Sequence, residues 1–140
     1  MFTMQVAGVS PFTVPNKCIT SVEFISTISK DSDARTDDLG AMMIIKGKVL
    51  TALNGDPADS TRQMALWAAT PAKSLDSYRN VTVTGVRGNI VIRDYNFPNA
   101  FVVDYVEDFD DSKGEGEFAL IIKQKKDRIE LATVTGGFVA

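Results

Sequence analysis

The chain has 140 residues, 44% of them apolar and 24% charged, with a net charge of −3. That length fits one domain, expected over residues 1–140, and the composition excludes a disordered or fibrous chain. The acidic balance weighs against nucleic-acid recognition, and the absence of histidine removes the Ser-His-Asp triad, the Cys-His dyad and the commonest metal ligand together. Cys18 stands alone, so neither an internal disulfide nor a thiolate metal site is available. Met1 is followed by Phe2, Thr3, Met4 and Gln5, without a basic n-region or a long apolar run. The expectation is synthesis in the cytoplasm without a signal peptide, and no membrane span.

Strand signals open the chain. Residues 18–28 alternate loosely, with Ile19, Val22, Phe24 and Ile28 among serines and threonines. Residues 30–40, KDSDARTDDLG, are polar and aspartate-rich, and read as a long exposed loop. Residues 41–53, AMMIIKGKVLTAL, read as a buried strand in which Gly47 marks a bulge or a close backbone approach. One helix is signalled next. Asp56 is its expected N-cap, Pro57 its first residue and Asp59 its third, with a second capping register at Ser60 and Gln63. Met64, Trp67 and Ala68 form its apolar stripe, and Pro71 ends it.

The second half is again strand-like. Residues 78–84 alternate, with Val81 and Val83 on one face, followed by a turn at 85–89 and a returning strand at 90–95. Pro98 places a turn at 96–99, and residues 101–109 form a neighbouring core strand in which Val103 is buried. The DDSKGEGE stretch is a hairpin tip with residues 118–124 as the partner strand. A last strand spans 129–135, and Gly136 and Gly137 loosen the tail. The pattern is mainly β, a barrel or sandwich with one helix between its halves.

Site chemistry is sparse. The acidic tip, Asp108, Asp110, Asp111, Glu115 and Glu117, fails the calcium-loop spacing, because Lys113 and Ala119 stand where glycine and glutamate are required. The Asp31/Asp33 pair fails similarly at Thr36. Asp104, Glu107 and Asp108 could pair as hydrolytic carboxylates, but charges on the outer face of a strand explain them as well. Phosphate-loop and dinucleotide motifs are absent, so no catalytic, metal or cofactor site is expected. Cys18 reads as a small buried thiol, and Lys123, Lys125, Lys126 and Arg128 as solvated edge protection. Asn80-Val81-Thr82 matches a glycosylation triplet by chance inside a strand.

Three stretches carry a family resemblance: DSDARTDDLG with the strand AMMIIKGKVLTALN, the helix DPADSTRQMALWAA, and the run from VTVTGVRGNIVIRDYNFPNAFVVDY to GEGEFALIIKQKK. Their order and hydrophobic pattern resemble the Hcp-like tube proteins of type VI secretion, relatives of the tail-tube proteins of contractile phages and phage-like injection particles. The resemblance implies two packed antiparallel sheets with one short α-helix on the flank. It also implies a non-enzymatic protomer of hexameric rings that stack into the inner tube of a contractile apparatus. Implied partners are other copies of the chain and the sheath, baseplate or spike proteins of that apparatus. A cyclic ring needs heterologous interfaces, and the strand edges and extended loop of this sequence are suitable material for them. The acidic loop, with Asp31, Asp33, Arg35, Asp37 and Asp38, is the candidate assembly element.

A competing reading fits the same element count. A small monomeric β-sandwich would bind carbohydrate or peptide through its loops, with Trp67 and Tyr78 or Tyr95 as stacking platforms. Trp67 lies on the apolar stripe of the helix, which places it in the core instead.

Overall fold

The computed structural model describes residues 1–28, 39–50, 55–112, 115–125 and 131–140. The acidic loop carrying Asp31, Asp33, Arg35, Asp37 and Asp38 lies outside the described residues, as do Lys126 and Arg128. Nine strands form the described fold, β1 (Phe2–Val6), β2 (Phe12–Val14), β3 (Ile19–Ile28), β4 (Leu39–Val49), β5 (Arg79–Arg87), β6 (Ile90–Asp110), β7 (Glu115–Gln124), β8 (Thr133–Thr135) and β9 (Phe138–Val139). One helix, α1 (Ser60–Ala68), and a 3₁₀ turn at Leu75–Ser77 separate β4 from β5. The strands hydrogen-bond in the order β2-β1-β5-β6-β7-β4-β3, and β8 and β9 add to β6. Every pairing is antiparallel.

The two expected layers are the two halves of this one sheet, curled so that they face each other. Phe24 of β3 stacks on Tyr95 of β6 at 5.1 Å and meets Phe97 edge-on at 6.2 Å. Those contacts bring the β3 end of the sheet over the β5–β6 half. Strict alternation builds the core between them. Met4 and Val6, Met43 and Ile45, Val81 and Val83, and Leu120 and Ile122 all point inward. Each such side chain contributes about 1.5–3 kcal/mol when fully buried. The barrel stays open, since no hydrogen-bonded ladder joins β2 to β3 among the described residues.

Gly47 marks a close backbone approach, as its place in the strand suggested. Lys48 N–H donates to the Cys18 carbonyl at 2.7 Å, and a β-carbon at Gly47 would collide with that oxygen. The partner strand carries its own irregularity between Ile19 and Ser21.

α1 starts three residues later than the sequence suggests, at Ser60 rather than Pro57. Asp59 takes left-handed backbone angles (φ 49°, ψ 54°), which aspartate tolerates and a helix does not. The Asp56 carboxylate still caps the helix, across a turn. Its Oδ2 accepts Ser60 N–H and Ser60 Oγ–H, both at 2.7 Å. The Ser60–Gln63 box does not form, because Ser60 is already helical and Gln63 N–H donates to the Asp59 carbonyl at 3.4 Å. Met64 and Trp67 fill the core, with Trp67 only 2% exposed and its Nε1–H donating to the Ser77 carbonyl at 3.1 Å.

The larger correction concerns residues 90–110. They form one strand, with no turn at 96–99. Pro98 is accommodated because the ladder with β5 is irregular there, skipping from the Val81–Phe97 pair to the Arg79–Ala100 pair. Asn99 N–H finds the Gln124 side chain at 3.1 Å instead of a strand partner. The β5–β6 turn is correspondingly tighter than expected, with only Gly88 and Asn89 between strands and Gly88 at φ 63°. The last strand shortens to β8, and the glycine pair does not loosen the tail. Gly137 N–H bonds the Val91 carbonyl at 2.8 Å, and Ala140 N–H bonds that of Asn89 at 2.7 Å.

Candidate assembly surface

Partner exchange along β6 creates the surface of interest. From Ile90 to Ala100 one edge of β6 is bonded to β5, while β9 and β8 occupy the opposite edge. From Ala100 to Asp110 that opposite edge continues into β7, but β5 has ended. Among the described residues, no strand covers the β5-side edge of β6 from Phe101 to Asp110. At the far end of the same half-sheet, β3 pairs with β4 and, among the described residues, with no other strand. The four strands β6-β7-β4-β3 therefore carry two open edges of comparable length. Because all three pairings are antiparallel, those edges run in opposite directions.

The register also assigns the faces. Tyr105 opposite Leu120 and Glu107 opposite Phe118 look toward the core and α1. Asp104 opposite Ile121, Val106 opposite Ala119 and Asp108 opposite Glu117 look outward. Val103 is the extra residue of a bulge between Val102 and Asp104, and it is 47% exposed rather than buried. Val106 and Phe109 are also exposed, at 51% and 65%. The Phe109 ring lies across Gly116 of β7. An open edge flanked by exposed valines is suited to strand addition, and the carboxylates along it suppress indiscriminate pairing.

The acidic residues do not converge on a site. Glu107 accepts the Tyr105 hydroxyl at 2.7 Å on the core face, whereas Asp104 and Asp108 lie on the outer face. Burial, followed by the adjoining Glu107, raises the Tyr105 hydroxyl well above its ordinary pKa. At the tip, Asp110 accepts Ser112 Oγ–H at 2.7 Å and Ser112 N–H at 2.9 Å, bonds that hold its carboxyl below the usual range. Glu115 lies 3.6 Å from Lys48. No three acidic, cysteine or histidine side chains gather around a common point among the described residues.

Of the aromatic platforms of the competing reading, Trp67 and Tyr78 wall one small cleft beside the end of α1, and Tyr95 lies apart from them. Tyr95 is stacked on Phe24, and the Arg79 guanidinium lies 5.6 Å from the Trp67 ring centre. Cys18 is buried as expected, 3.8 Å from Asp56 Oδ2, and desolvation followed by that carboxylate pushes its thiol up to about 11. Among the described residues no helix is long and apolar enough to cross a membrane. Sequence reasoning missed the open edge of β6 because Pro98 read as a turn; the long apolar and aromatic run on both sides of it was the available signal.

No protein-family model matches the chain, and no curated protein matches its sequence. Solved structures do match. Hcp1 from Flavobacterium johnsoniae superposes with a TM-score of 0.56 at 14% identity, covering 98% of each chain. A chain of the sheath-tube complex of an extracellular contractile injection system, PVC, gives 0.56 at 11% identity over 97% of this chain and 88% of that one. A chain of the tube-terminating cap of the anti-feeding prophage gives 0.55 at 13% identity, over 96% and 88%. At such identities the likeness is one of fold, and it extends over nearly the whole chain. The protein has the Hcp-like fold of contractile-tail tube proteins.

Proposed function

We propose that this chain is a structural protomer that closes into hexameric rings and that the rings stack as the inner tube of a contractile injection apparatus. The observation that carries the reading is the pair of open, oppositely directed edges on the β6-β7-β4-β3 half-sheet. When β6 of one copy meets β3 of the next, the strands run antiparallel and the sheet continues from copy to copy. Such a joint is heterologous, and a heterologous joint closes into a ring when its rotation divides a full turn. The six-fold symmetry imposed on the anti-feeding prophage baseplate, which contains a chain of this fold, supports six as the ring number. Nothing in the role requires a chemical step. Sheath, baseplate and spike proteins of the same apparatus are the implied partners.

The acidic loop completes the proposal. Asp31, Asp33, Arg35, Asp37 and Asp38 supply charge pairs to a neighbouring copy, and these fix register more than affinity. Replacing residues 33–38 by a Gly-Ser linker should leave the fold intact, lower the yield of stacked tubes and raise their salt sensitivity. Light scattering on the eluting protein, followed by negative-stain imaging, tests the whole reading. The expected result is a mass near six protomers or above, with rings or tubes in the images. A monomer at every concentration contradicts it and favours the monomeric binding module.

A further inference from the structure

The open edge of β6 begins beside a cleft. β5 departs from β6 at the Arg79–Ala100 pair, and the Tyr78 ring, just before β5, turns against Phe101 at 5.8 Å. Between these rings and the end of α1 lies an open cleft of about 90 Å³, walled by Trp67, Ala68, Ala72, Tyr78, Phe101 and Val102. Apolar surface predominates on its walls, Thr70 and Ser77 add polar edges, and the Trp67 N–H is already committed to the Ser77 carbonyl. A water needs only ~10–15 Å³ of such space, so the cleft holds several waters or one aliphatic side chain. Lys125 Nζ stands 5.2 Å from the centre of the Tyr78 ring, which puts a cation beside the cleft wall.

We propose that this cleft is the anchor pocket of the joint between copies, and that it receives an apolar side chain from the C-terminal end of β3 of a second copy. The inference rests on the edge-to-edge reading above and adds what sets its register. Antiparallel continuation brings the start of the open edge, Phe101, beside the last residues of the neighbour's β3. Main-chain bonds along an added strand do not by themselves choose between registers; a pocket that accepts one side chain does.

The test compares the parent with Ala72→Trp, which fills the cleft from an exposed position, and with Leu75→Trp, an equally bulky change at an exposed residue outside its walls. Ala72→Trp should melt within a few degrees of the parent but require at least tenfold more protein to form rings, read by light scattering. Leu75→Trp should assemble like the parent. Should Ala72→Trp fail to fold, Tyr78→Ser, which removes a wall of the cleft, carries the same expectation. Rings forming at the parent's concentration in the cleft variant that folds overturn the anchor while leaving the edge reading intact. A parent that never associates overturns the edge reading and the anchor together.

Discussion

The two halves of β6 belong to one uninterrupted strand yet live in different environments. The half from Ile90 to Ala100 has β5 on one edge and β8 and β9 on the other, and it sends Phe97 and Ala100 fully into the core. The half from Phe101 to Asp110 has β7 on one edge and, among the described residues, no strand on the other, and it exposes Val103, Val106 and Phe109 between carboxylates. Apolar content alone does not separate them. Edge occupancy does. Where both edges are paired, large side chains build the fold; where one is open, comparable side chains are held ready for another chain.

Substitutions should divide the strand along that line. The largest effect is expected in the doubly paired half. Phe97→Ala empties a site against Phe24 and should cost about 3–5 kcal/mol, measured by urea denaturation. At the boundary between the halves, Arg79 is buried and clamped by Asp76, with Nη2 at 2.6 Å from its carboxylate. The Val9 amide, and then Arg79, hold the Asp76 carboxyl below its usual range. Its contribution is therefore complete above the unfolded carboxylate value near 3.9 and disappears as pH falls through the depressed one. Asp76→Asn should cost about 1.5–3 kcal/mol at neutral pH and flatten the acid limb of a stability-versus-pH profile. Val103→Asp, in the open half, should shift protomer stability by less than about 0.5 kcal/mol. The same change should impair assembly, because it adds a further carboxylate to the open edge. Unfolding by Val103→Asp, or near-neutrality of Phe97→Ala, would erase the distinction.

Local pattern carried much of this architecture. The Val81/Val83 alternation, the Met64/Trp67 stripe and the close approach at Gly47 each depend on a few neighbouring residues, and each is where the pattern puts it. The misreadings share a cause of another kind. Pro98 signals a turn in isolation, and only the irregular β5 ladder and the Gln124 side chain make it acceptable inside a strand. Asp59 looks like a first-turn helix residue until its left-handed backbone moves the helix start to Ser60. Val103 alternates correctly with its neighbours, but a bulge whose origin lies in the pairing with β7 turns it out to solvent. The open edge is the least legible feature of all, since it is defined by where β5 stops rather than by any residue of β6 itself.

Hydrogen exchange of the same preparation, as free protomers and as assembled particles, tests the central claim most directly. Amides are compared along residues 101–110 of β6, along β3, and along residues 90–97 as an internal reference. The account predicts that assembly slows exchange in 101–110 and in β3 together, since both edges enter one joint, while 90–97 is protected in both states. Assembled particles in which 101–110 exchanges as fast as in the free protomer, or in which only one of the two edges becomes protected, would contradict it.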